Sequence, residues 1–61
     1  MKNVRVKPWK VRFLGASSEL SRAYVWAPNR LFAKWAAFEQ ISALVRAEYQ
    51  SVKISRVKPT D

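Results

Sequence analysis

The sequence predicts an α+β domain in which a β-β-α-β chain forms a three-stranded antiparallel sheet of order 2-1-3, with one helix packed on one face. Three observations point there. Charged and apolar residues alternate from Val4 to Leu14 and again from Val52 to Val57, the period-two signature of a half-buried strand. The run from Arg22 to Ala27 is rich in Tyr, Val and Trp, the side chains that fit a pleated surface. After Pro28 the apolar residues change to helical spacing.

In the first strand the alternation changes phase. Val4 and Val6 are even-numbered, Trp9, Val11 and Phe13 are odd-numbered, and Pro8 sits at the switch. Proline cannot donate to a ladder, so a bulge or a strand start at Lys7-Pro8 accounts for both facts. The main strand is therefore predicted from Trp9 to Leu14, with Val4 to Lys7 as an extended arm or edge continuation. Gly15 to Ser21, "GASSELS", holds the chain's single glycine and reads as a loop. Arg22 to Ala27 follows as the second strand, antiparallel to the first.

Pro28 suits the first turn of a helix, where its missing N–H costs nothing, and Asn29 is the alternative as N-cap. Leu31, Trp35, Phe38, Ile41 and Val45 then fall within an arc of about 120°, the stripe expected of a helix packed on a sheet. Ala33, Ala36, Ala37, Ala43 and Ala47 raise helix propensity and permit close approach. The helix is predicted to reach about Glu48, and Val52 to Val57 to form the third strand. A helix that carries the chain back across the sheet makes the third strand parallel to the second and, beside the first, antiparallel to it.

Sixty-one residues make a single small domain, with 1–7 as a basic arm or edge extension and 58–61 as a short tail. A chain of this size buries only about 60% of the surface its unfolded form exposes. Without cysteine or histidine it has no disulfide or histidine-held metal to staple it, so stability must come from its eight aromatic residues or from self-association. Twelve Lys and Arg against four Asp and Glu give a net charge of +8, a field that attracts polyanions. The basic residues gather at the ends: Lys2, Arg5, Lys7, Lys10 and Arg12 precede any acid, and Lys53, Arg56 and Lys58 lie near the C-terminus. The longest uncharged run, Ala23 to Asn29, is far short of the roughly 20 residues that span a bilayer. A cytoplasmic protein is the expectation.

Catalytic chemistry has little to work with. The commonest general base, the thiol nucleophile and most zinc ligand sets are absent. Glu39 and Glu48, nine residues apart on the predicted helix, lie on opposite sides of it and cannot flank one bond. One glycine makes no phosphate-cradling loop. The expectation is a binding protein without catalytic residues, cofactor or metal.

The face of the sheet away from the helix is the candidate surface. With Trp9, Val11, Phe13, Val52 and Ile54 turned inward, Lys10, Arg12, Lys53 and Ser55 point outward. The second strand has two registers. In one, Ala23, Val25 and Ala27 point inward and Tyr24 and Trp26 outward; a one-residue slip exchanges the sets. The first lays two aromatic rings beside a row of cations, suited to stacking bases while contacting phosphates. The second buries both rings, as aromatics in so short a chain often are.

Nucleic acid, DNA or RNA, is thus the expected partner, bound by Lys2, Arg5, Lys7, Lys10, Arg12, Tyr24, Trp26 and Lys53. In outline the fold is similar to DNA-binding domains that place a sheet in the major groove, an analogy of fold alone. The alternative is an interaction protein, such as a virus- or mobile-element-encoded modulator, that homodimerises or docks on an acidic protein. Its candidate contact is Phe32, about 100° from Leu31, with Ala36 and Ala43.

Overall fold

The computed structural model describes residues 5–58. In chain order the elements are strand β1, Lys7–Leu14, strand β2, Glu19–Ala27, helix α1, Arg30–Phe38, helix α2, Ala43–Glu48, and strand β3, Ser51–Arg56. The sheet runs β2-β1-β3 with both neighbours antiparallel to β1, the fold class and strand order that the sequence predicts. The Cα trace measures 41 × 29 × 14 Å, a thin slab one sheet and one helical layer deep.

Both hairpin strands are longer than their sequence predicts. β1 starts at Lys7, and its pairing with β2 runs unbroken through Lys7↔Ala27, Pro8↔Trp26 and Trp9↔Val25. Of the two explanations for the phase change, the strand start is right and a bulge at Lys7-Pro8 is not. The irregularity lies at the far end, between Phe13 and Leu14. There β2 takes up Glu19, Leu20 and Ser21, which the serine-rich sequence assigns to the loop. The connection shortens to Gly15–Ser18, closed by the Gly15 N–H donating to the Ser18 carbonyl at 2.8 Å. A Cβ at Gly15 would stand 3.1 Å from Leu20 Cδ2, so a larger residue there requires the exposed Leu20 side chain to give by a few tenths of an ångström.

The predicted single helix is two. Asn29 is the N-cap of α1, its extended backbone (φ −153°, ψ 178°) placing Oδ1 to accept from the Phe32 N–H at 3.0 Å. The first helix stops after Phe38. Ser42 is also extended (φ −71°, ψ 161°), and its hydroxyl accepts from the Val45 N–H at 3.2 Å, so a new helix begins where a continuous one was expected. Serine competes for backbone groups in this way and favours caps over helix interiors. Arg46 ties the halves together: Nε donates to the Phe38 carbonyl at 2.9 Å and its guanidinium lies 5.5 Å from the Phe38 ring centre.

The core face of α1 also differs from the predicted stripe. Ala33 and Ala37 are fully buried, and Ile41 beyond the helix is buried with them, while Phe38 and Val45 are half-buried against this cluster. Leu31 and Trp35 are each 54% exposed. The cause is complementary volume. Trp9, Val11, Phe13 and Val25 already fill the inner face of the sheet, so the helix lies close by presenting alanine to these large side chains. Phe13, Phe38 and Tyr49 complete one end of the core, with ring centres 5.5 to 6.3 Å apart. At the other end the buried Trp9 indole donates from Nε1 to the Ala27 carbonyl at 2.9 Å, and Arg56 and Arg30 lie 5.4 and 6.0 Å from its ring.

Candidate nucleic-acid interface

The register of β2 decides the outer face. Ala23, Val25 and Ala27 are buried, and Tyr24 and Trp26 are 57% and 68% exposed, so the first of the two predicted registers is the one adopted. Pairing then sets the residues of this face in rows across the strands. Tyr24, Lys10 and Ser55 form one row, and Arg22, Arg12 and Lys53 form the next. Trp26 stands beside Pro8, and Val57 flanks Pro8 on the other side through its N–H, which donates to the Pro8 carbonyl at 3.0 Å.

Sequence reasoning missed Arg22 and Glu19 on this face. Glu19 bridges two of its cations: Oε1 accepts from Arg12 Nε at 2.6 Å and Oε2 from Arg22 Nε at 2.8 Å. The Arg12 bond first, and then the Arg22 bond, hold the Glu19 carboxyl below the ordinary glutamate range. Arg12 is thus tethered by Glu19, whereas Lys10 and Lys53 have no acidic partner among the described residues. The parity of Arg22 with Tyr24 and Trp26 was a visible signal. Glu19 gave none, because its strand position depends on the irregularity beside Leu14.

The basic arm divides. Lys2 lies outside the described residues. Arg5 is exposed and precedes β1, while Lys7 belongs to β1 and pairs with Ala27, on the opposite parity from Lys10 and Arg12. Lys7 instead lines a groove of about 540 Å³ at the end of the sheet, together with Val6, Pro8, Trp26, Arg56, Val57 and Lys58. Pro8 explains where the groove opens. An antiparallel hydrogen-bonded pair exchanges two N–H···O bonds, and proline returns none to Val57, so the ladder between β1 and β3 ends there.

The predicted helix contact is also rearranged. Ala36 packs against the core and Ala43 lies beyond the helix break on α2, so neither extends a patch from Phe32 along one helix. Phe32 is exposed and meets Trp35 edge-to-face at 5.5 Å, with Leu31 on the same outward side of α1. Among the described residues no helix is long and apolar enough to cross a membrane. No protein-family model, curated protein or solved structure matches this chain.

Proposed function

We propose that this protein binds nucleic acid along the outer face of its sheet, with Lys10 and Lys53 on phosphates, Arg12 and Arg22 beside them, and Tyr24 and Trp26 stacked on bases. The observation that carries the reading is the outward pair Tyr24 and Trp26 on the same face as that cationic block, Tyr24 in the row of Lys10 and Trp26 one row on, beside Pro8. Aromatic rings turned to water forgo burial in a chain with few large buried side chains. Beside cations they form the combination that grips a polyanion carrying flat bases. The net charge of +8 adds long-range attraction.

The test is fluorescence anisotropy of a labelled oligonucleotide across a salt series. Binding should weaken steeply with salt, and Lys10→Ala with Lys53→Ala should reduce the slope of log K against log salt by about 1.4–1.8, about 0.7–0.9 for each phosphate that is no longer neutralised. Absence of binding at low salt, or a slope unchanged by the double substitution, overturns the reading.

A second reading, self-association, is favoured by the outer side of α1. Leu31, Phe32 and Trp35 are all exposed there, an apolar surface opposite the Ala33–Ala37 contact. The occupant it fits is a second copy of α1, which buries both apolar surfaces against each other. Light scattering over a concentration series should give a mass above one chain that falls to one chain in Trp35→Ala. A wild-type mass of one chain at every concentration rejects this reading.

A further inference from the structure

The groove beside Trp26 narrows the proposed ligand to one kind of nucleic acid. We infer that the protein takes single-stranded nucleic acid and seats one unpaired nucleotide in this groove, its base against Trp26 and Pro8 and its phosphate at Lys58. The inference rests on the sheet-face reading above and adds strandedness and a defined nucleotide site to it.

Size, lining and charge agree. A volume of about 540 Å³ lies within the range of roughly 300 to 1,000 Å³ typical of sites for small organic ligands. The groove is lined by Val6, Pro8, Val57 and the Trp26 ring with Lys58 beside them, while Lys7 and Arg56 border it from strand positions facing the helix side, Arg56 over the Trp9 ring, and no acid is among the described residues that line it. An apolar lining with a cation beside it matches a nucleotide, which is a flat apolar-faced base joined to an anion.

Single-strandedness follows from what the rings can contact. In a duplex both faces of each base are covered by its neighbours, leaving Trp26 nothing to stack upon, whereas an unpaired base offers its face. Trp26 also belongs to two places at once. It walls the groove, and it stands two residues from Tyr24 on the same strand face, a separation of about 7 Å. A strand with one base in the groove can therefore lay the following base on Tyr24 and run its phosphates past Lys10 toward Lys53.

The experiment compares an eight-nucleotide oligodeoxythymidine with a blunt duplex of mixed sequence at the same salt, using the full chain. Two charge-matched variants accompany wild type: Val6→Glu, which sets a carboxylate in the groove at an exposed position, and Ser17→Glu, which places the same charge in the distant hairpin turn. Circular dichroism melts check that both fold. The expected result is single-strand affinity above duplex affinity by about tenfold or more, in line with the loss of a stacked base. Val6→Glu should remove most of that preference and Ser17→Glu should keep it. Adenosine 5′-monophosphate should shift the Trp26 indole N–H resonance, identified by its disappearance in Trp26→Phe.

Equal affinity for the two oligonucleotides, with Val6→Glu no worse than Ser17→Glu, overturns the groove site while leaving the salt-dependent sheet-face reading in place. Failure of both oligonucleotides to bind at low salt overturns that reading and the groove with it.

Discussion

Two pairs of exposed aromatic residues, Tyr24 with Trp26 and Phe32 with Trp35, arise within a dozen residues of each other and face solvent on different elements. Their neighbours differ. On β2 the rings alternate with small buried residues and stand in register with Lys10 and Pro8, next to the Arg22-Arg12-Lys53 row. On α1 the rings touch each other, with Leu31 exposed on the same side, opposite the alanines that meet the sheet. Cations beside the first pair make it a surface for an anionic ligand with flat groups. The apolar setting of the second fits a matching apolar surface. An exposed aromatic is thus interpreted from its surroundings more than from its own chemistry.

Both faces depend on the same core, so the largest effect is expected there. Phe13 is fully buried and joins the Phe38 and Tyr49 rings, and Phe13→Ala should cost about 3–5 kcal/mol, enough to unfold much of so small a chain. A thermal melt would check it, and a melting temperature close to wild type would mean that the helical layer is not packed through Phe13.

Substituting the two tryptophans in turn separates the faces. Trp26→Ala should weaken oligonucleotide binding by about 1–3 kcal/mol and leave mass unchanged, while Trp35→Ala should lower the mass and leave oligonucleotide affinity unchanged. Crossed effects in anisotropy and light scattering would mean that the faces do not act separately.

Smaller again is the effect of the helix cap. Asn29→Ala removes the acceptor for the Phe32 N–H and should destabilise the fold by about 1 kcal/mol in a denaturant titration, while Asn29→Asp should retain most of the stability.

The smallest effect concerns Glu19. Its carboxyl is lowered by the Arg12 and Arg22 bonds, so its contribution to stability is fully present above the ordinary glutamate value of about 4.3 and is lost as pH falls through the lowered one. Glu19→Gln should abolish that part of the acid dependence. By freeing both guanidiniums it should also steepen the salt dependence of oligonucleotide binding, an effect absent from the helix face.

How far these faces are legible varies by element. Trp9, Val11 and Phe13 alternate strictly with Lys10 and Arg12, and a strand offers only two sides, so their inward direction follows from parity. For Tyr24 and Trp26 two registers stay open, because parity alone does not say which half of β2 meets the core. Pairing with β1 decides it, since Trp9 opposite Val25 puts both on the inner side. The observed helical face departs from the predicted stripe because hydrophobicity favours Leu31 and Trp35, whereas packing selects Ala33 and Ala37. The groove is not legible at all, being assembled from Val6 to Pro8, Trp26 and Arg56 to Lys58, which lie far apart in the chain.

The local and periodic features are therefore written in the sequence: three strands and their order, helix initiation near Pro28-Asn29, the inner face of β1 and a strong excess of basic charge. These follow from backbone chemistry and from side-chain alternation over a few residues. Packing of the layers set the rest, namely the face of α1 that meets the sheet, the break at Ser42, the Glu19 bridge and the groove beside Trp26. Each depends on the volume or charge of side chains brought together from distant segments, and that complementarity exists only once the layers are in contact.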